Sequence, residues 1–314
     1  MGLDMYDVLI VGAGAAGLTS ALYTARKKLK TLVISADVGG QMNLTSHIEN
    51  YPGVSTSTGP GLMKKFQDQA VRHGAEIVIG HVKKVEKNEK GFKSLMANGQ
   101  SIESKTVILA FGLVPRTLGI PGEEQFIGKG ISTCVTCDGP LFKNKTVAVV
   151  GGGNSAIEGV LELAEYCEKV YSIHRRDKFT ADAHTIDKLK HTRNVEMIMH
   201  SALKDVRGSP FLKSTTVIDV NTHKTRDIDV SGIFLQIGHV VDTALVKGIV
   251  ELTNRNEVVI NDRNATSVPG IFAAGDCTNI PFKQTVISAG EGAKAGLEAQ
   301  RYLKGGKGVS IDWS

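Results

Sequence analysis

The sequence predicts an α/β fold built from two separate βαβ units, and three observations carry that prediction. A glycine-rich turn follows a short apolar, strand-forming run near residue 12. The same arrangement returns near residue 151, and the stretches around both alternate strand and helix signals. At 314 residues the chain has room for two domains of roughly 100–200 residues each.

Taken in order, Tyr6 to Val11 are mostly β-formers in an apolar run, which suits a strand buried on both faces of a parallel sheet. Gly12-Ala13-Gly14-Ala15-Ala16-Gly17 follows, then an Ala/Leu-rich helix to about Lys27 and a second strand from Thr31 to Ile34. Thr45 to Lys105 mixes helix and strand signals. Downstream, Lys145 to Val150 reads as a strand and Gly151-Gly152-Gly153-Asn154-Ser155-Ala156 as a turn. Ile157 to about Cys167 reads as a helix, and Val170 to Ile173 as the next strand. FGLVPR (111–116) reads as a crossover out of the first domain and GHVVDT (238–243) as the return. Val258 to Leu303 then completes the first domain. The expected division is 1–114 and 241–314 for one domain, with 115–240 inserted between them.

Each turn carries chemistry. Gly12 permits a tight strand-to-helix turn, Gly14 lets backbone approach a pyrophosphate, and Gly17 allows close helix–strand packing. The helix then points unpaired N–H groups and a positive dipole end at the phosphates. Such a turn is a weak signal alone and gains weight from its position after a strand and before a helix. No acid ends the second strand, TLVIS, so Ser35 or a backbone group is expected to hold the ribose. The second turn, Gly151-x-Gly153-x-x-Ala156, has alanine in its third place, which the fingerprint tolerates. Roughly 20 residues on stand His174-Arg175-Arg176 rather than an acid. A guanidinium pairs bidentately with phosphate, so these residues suit a 2′-phosphate and NADPH, with NADH possible.

Cys134 and Cys137 lie in CVTCDG, a spacing at which two thiols close a small ring and exchange with another disulfide. A zinc site needs about four ligands and no second pair exists, so no metal is expected. Asp138, beside the second thiol, is placed to take and return a proton; a helix-capping role competes with that reading. Cys167 and Cys277 read as buried fillers. His184 and His191 read as solvated.

Composition narrows the classes further. A net charge of +5 without aromatic interleaving argues against nucleic-acid binding. No run approaches the roughly 20 apolar residues of a membrane span. The start, MGLDMYDVLIVGAG, has no signal-peptide pattern, so a cytoplasmic location is expected.

CVTCDGP between two dinucleotide turns, FGLVPRTLGIPGE before it and TSVPGIFAAGDCT near the end together resemble bacterial and archaeal thioredoxin reductases over nearly the whole chain. The resemblance implies an FAD domain built from both chain ends and an inserted NADPH domain, two Rossmann-like domains in all. It implies that Cys137 takes electrons from the flavin and Cys134 attacks the thioredoxin disulfide, with Asp138 as acid–base partner. It places Gly39, Gly40, Gln41, Asn50, Gly275, Asp276 and Gln284 around FAD. It further implies a homodimer, hinges at GLVP and GHVV, and thioredoxin or a thioredoxin-like protein as partner. The tail AAGDCTNIPFKQTVISAGEGAKA is similar to the flavoprotein component of alkyl hydroperoxide reductase. That relative carries an extra thioredoxin-like region, so a separate partner protein is expected here.

Departures from the pattern stand at three places. Thr180 occupies the place of a third arginine in HRRDKFTA, with Lys178 nearby as compensation. Phe111 replaces a threonine, and Val241-Asp242 replaces Pro-Asn ahead of Thr243. Ferredoxin–NADP reductases share the architecture but lack the CxxC. Dithiol oxidases keep the CxxC and dispense with the nicotinamide site, which the Gly151 turn and Arg175-Arg176 argue against. A flavin-bound redox sensor and a reductase with another donor remain as competing readings.

Overall fold

The apolar run near the N-terminus forms β1 (Tyr6–Ala13), whose alternate side chains enter two different cores. Val8 and Ile10 face one side and Leu9 and Val11 the other, all buried, as expected of a strand covered on both faces. The structure is a computed structural model that describes residues 5–45 and 48–306. Met1 to Asp4, the first part of the start read above for a signal peptide, lie outside the described residues.

The chain continues through α1 (Ala15–Arg26), β2 (Thr31–Val38), α2 (Gly59–Arg72), β3 (Glu76–Ile79), β4 (Val82–Asn88), β5 (Gly91–Met96) and β6 (Ser101–Leu109). After β7 (Val114–Pro115) come α3 (Glu123–Phe126), β8 (Ile131–Ser132), α4 (Val135–Asp138), β9 (Thr146–Gly151), α5 (Asn154–Ala164) and β10 (Lys169–Ile173). Then follow α6 (Ala183–Lys190), β11 (Val195–Ile198), β12 (Ser201–Gly208), β13 (Leu212–Asp219), β14 (Thr225–Asp229) and β15 (Gly232–Gln236). β16 (His239–Val240) leads to β17 (Ile271–Ala273) and α7 (Thr285–Leu303). Two compact units result: Met1–Val114 with Val240–Ser314, and Pro115–His239.

In the first unit β3-β2-β1-β6-β5-β4 form one sheet, with β17 also paired to β6. The pairs around β1 and β17 are parallel, while β4-β5 and β5-β6 are antiparallel. α1, α2 and α7 cover one face. α2 starts where the Thr58 hydroxyl accepts a hydrogen bond from the Gly61 N–H at 3.1 Å, and it stops before Gly74 at φ +99°. α1 and α7 approach closely: a Cβ on Gly292 would stand 2.2 Å from the Ala16 carbonyl oxygen. The Ser20 hydroxyl bridges the seam, donating to the carbonyls of Ala16 and Gly292, both at 2.9 Å.

The second unit holds a parallel sheet of order β11-β10-β9-β15-β8 and an antiparallel β12-β13-β14 meander. Ala148, Val150, Ile173 and Leu235 pack toward the meander through Leu203, Val206 and Val217. Val147, Val149, Val170 and Phe234 pack toward α5 through Ile157, Val160 and Leu163. Both units are Rossmann-like, and each places its glycine turn where the first strand of its parallel sheet meets a helix.

Candidate active site

At the first turn the three glycines serve three purposes. Gly12 sits at φ +109°, and a Cβ there would stand 2.2 Å from the Ala110 carbonyl oxygen. A Cβ on Gly17 would stand 1.9 Å from the Gly12 carbonyl oxygen, so packing alone demands glycine. Gly14 is different. Its Cβ direction meets only the Gly39 carbonyl oxygen at 3.9 Å, leaving open space in front of α1. The Gly39 N–H donates to the Ala13 carbonyl at 2.9 Å, which lays the Gly39-Gly40 loop over this turn. On the opposite side Gly275, at φ +79°, presses on the Ala16 side chain, and Asp276 accepts a hydrogen bond from the Ser288 hydroxyl at 3.1 Å. The Gln41 amide donates to the Leu113 carbonyl at 3.2 Å, and the Asn50 amide donates to the Gln284 side-chain oxygen at 3.3 Å. Gly14, Gly40, Gly275 and Asp276 therefore gather at the N-terminus of α1, with Asn50 and Gln284 joined to each other. An open glycine face before a helix N-terminus fits the pyrophosphate of a dinucleotide.

Ser35 lies inside β2, which runs on to Val38 rather than ending at Ile34. The acid absent from the strand end comes later, as Asp37. Its carboxylate accepts the Gly40 N–H at 2.7 Å and the Asn43 amide at 3.3 Å.

In the second unit a Cβ on Gly151 would stand 2.2 Å from the Gln236 carbonyl oxygen, and the Ala156 methyl already fills the space beneath. Gly153 is open, as Gly14 is, with only the Thr180 hydroxyl at 3.9 Å from its Cβ position. Arg175, Arg176 and Lys178 are exposed. His174 is not: its ring is buried against Gly152, stacks near Phe179 at 5.3 Å, and has Nε2 3.1 Å from the Lys178 carbonyl. Burial, with the neighbouring Arg176 and Arg175 charges, lowers its pKa. The ring is thus a strut for the basic segment, not a group facing solvent.

Cys134 and Cys137 are joined as a disulfide, with Cα atoms 5.3 Å apart. The buried Val135 wedges the short α4 against α5 at Gly159, where a Cβ would stand 2.9 Å from the valine methyl. Ser132 holds the entry by accepting the Cys134 N–H at 3.0 Å. The Cys137 N–H points at Cys134 Sγ, 3.1 Å away, a contact that favours a thiolate on Cys134 after reduction. Cys137 is exposed and Cys134 half-buried. Asp138 is half-buried at the end of α4, and its side chain makes no capping bond to the 3₁₀ turn that follows.

Among the described residues no group of three or more His, Cys, Asp or Glu is arranged to hold a metal, and no helix is long and apolar enough to cross a membrane. The family model of the pyridine nucleotide-disulphide oxidoreductases matches residues 6–296. The chain belongs to that family.

Among members of this family with known names, the F component of the alkyl hydroperoxide reductase of Staphylococcus epidermidis is 40% identical over 301 residues. The match covers 96% of this chain and 59% of that protein, so the chain spans about 59% of the length of its curated relative. Thioredoxin reductase of Lactococcus lactis, solved in its FR conformation, is 34% identical at a TM-score of 0.83, covering 96% of this chain and 99% of that one. Thioredoxin reductase of T. acidophilum is 33% identical at a TM-score of 0.79 with the same coverages.

Sequence reasoning missed two features of this pyridine nucleotide-disulphide oxidoreductase. Gly152 is glycine because the His174 ring occupies its side-chain space, which no local pattern announces. Gly292 and Gly296 make the α1–α7 seam, and their four-residue spacing was the available signal. Both remaining cysteines are buried, as expected. Burial pushes the Cys167 thiol up to about 11 and the Cys277 thiol up to about 12, so neither forms a thiolate near neutral pH.

Proposed function

We propose that this chain is an FAD-dependent disulfide reductase that draws electrons from a reduced nicotinamide, preferably NADPH, and delivers them to thioredoxin or a thioredoxin-like protein. The observation that carries the reading is the Cys134–Cys137 disulfide, half exposed on a unit whose other functional edge is an open glycine turn beside Arg175 and Arg176. In this reading the first unit is the FAD domain and the inserted unit the NADPH domain. Gly12, Gly14, Gly17, Gly40, Gln41, Asn50, Gly275, Asp276 and Gln284 hold FAD, while Gly151, Gly153, Ala156, Arg175 and Arg176 hold the nicotinamide nucleotide. When bound, the flavin supplies a two-electron relay between nicotinamide and disulfide.

The residues of the chain do the rest. Two electrons and two protons open the Cys134–Cys137 bond to a dithiol. Cys134, its thiolate favoured by the Cys137 N–H, attacks the partner's disulfide. One partner sulfur joins Cys134 and the other leaves as a thiolate that takes a proton. Asp138 accepts the Cys137 proton, and Cys137 then attacks Cys134 Sγ, which re-forms the ring and frees the partner as a dithiol. The protein works as a cytoplasmic homodimer, in line with its likeness to thioredoxin reductases over 96% of the chain.

The test is anaerobic mixing of the flavin-loaded protein with NADPH and, separately, NADH, followed by addition of oxidised thioredoxin. Bleaching of the flavin band by NADPH and its return with thioredoxin are expected. Bleaching by dithiothreitol alone would move the chain to the dithiol oxidases or to a reductase with another donor.

A further inference from the structure

The basic segment of the second unit is stitched to the glycine turn at both ends. At its start the His174 ring lies against Gly152 and is fixed by the Lys178 carbonyl. At its end Thr180 makes two bonds to one acceptor: its N–H donates to the Gly152 carbonyl at 2.7 Å and its hydroxyl donates to the same oxygen at 3.2 Å. Two residues on, the Asp182 N–H donates to the Asn154 side-chain oxygen at 2.8 Å, and the Asn154 amide donates to the Asp182 carboxylate at 3.2 Å. Between these anchors Arg175, Arg176 and Lys178 stay exposed.

We propose that Thr180 is a positioning residue that registers Arg175 and Arg176 against the glycine turn, and so sets the preference for a 2′-phosphorylated dinucleotide. The inference rests on the nicotinamide reading of the second unit given above. The pyrophosphate and the 2′-phosphate belong to one adenosine moiety, so their separation is short and fixed by covalent structure. A protein that grips the first at a helix N-terminus must hold its cations at a matching distance to grip the second. The Thr180 hydroxyl supplies part of that match without charge, because it ties the segment to the same peptide unit that shapes the turn. A nucleotide without the 2′-phosphate makes no demand on this register.

The test is calorimetric binding of NADP⁺ and NAD⁺ to the flavin-loaded protein, compared among wild type, Thr180→Val and Thr180→Ser. Loss of one hydroxyl bond should raise the Kd for NADP⁺ roughly three- to tenfold in Thr180→Val. NAD⁺ binding should stay unchanged, and Thr180→Ser should restore NADP⁺ affinity. Equal weakening of both nucleotides, or no change in either, overturns the positioning role while leaving the nicotinamide reading intact. A wild type that prefers NAD⁺ also overturns it. A wild type that binds neither nucleotide sinks the nicotinamide reading itself, and this inference with it.

Discussion

The two glycine turns of this chain share a pattern and differ in what surrounds them. The turn at Gly12 is walled in: Gly17 lies under the Gly12 carbonyl, Gly292 and Ser20 bring α7 against α1, and Gly275 presses on Ala16. The turn at Gly151 tolerates alanine in its third place and carries an exposed basic segment beside it. Both keep one open glycine, Gly14 and Gly153, at the position where backbone meets a pyrophosphate. The shared part accounts for recognition of any dinucleotide. The surroundings decide whether the ligand is held inside a fold, as suits a resident flavin, or at a surface from which it exchanges.

The largest effect should come from the disulfide that both turns would serve. Cys137→Ser should bring disulfide turnover to background and leave Cys134 covalently joined to an oxidised partner, visible as a mixed-disulfide band on a non-reducing gel. Cys134→Ser should trap nothing. A trap through Cys137, the more exposed of the two, would reverse their roles.

The comparison between turns can be broken directly. Gly17→Ala places a methyl 1.9 Å from backbone and should cost about 3 kcal/mol, with loss of retained flavin read from the visible-to-ultraviolet absorbance ratio. Ala156→Gly, at the equivalent place in the second turn, should cost only about 1 kcal/mol by denaturant melting, the helix-propensity difference. Similar losses at both would erase the distinction between a walled and an open turn.

Sharpening it requires the nucleotide. Arg175→Ala and Arg176→Ala should each raise the KM for NADPH by about ten- to a hundredfold, the worth of a charged hydrogen bond, with no matching change for NADH. Parallel changes for both donors would show that the cations steer and do not read the 2′-phosphate.

The smallest signal concerns the buried thiols. A thiol whose pKa is raised stays protonated and unreactive until the pH approaches that value. At pH 8 the native reduced protein should alkylate at Cys134 and Cys137 and spare Cys167 and Cys277, whose values stand at about 11 and 12. Labelling of Cys277 in the native protein, seen by peptide mass, would contradict its full burial.

Much of this was legible beforehand, because the informative residues are local. Gly12-x-Gly14-x-x-Gly17 and Cys134-x-x-Cys137 are short patterns, and the βαβ order around each turn follows from apolar runs and glycine breaks. The β12-β13-β14 meander was not anticipated, since its strands pair with one another and carry no motif. His174 shows the limit best. Its neighbours in sequence are phosphate-reading arginines, yet its ring turns inward because Gly152 leaves a space for it.

By itself, then, the sequence determined the two-turn α/β plan, the redox pair and the burial of the other two cysteines. These depend on residues within a few positions of one another, or on hydrophobicity. The tertiary structure alone decided which glycines are demanded by packing and which by a ligand, that Asp37 is spent on its own loop, and that Thr180 binds the turn. Each of those outcomes is set by atoms brought within hydrogen-bonding or contact distance from separate elements, and the spacing along a chain does not encode such distances.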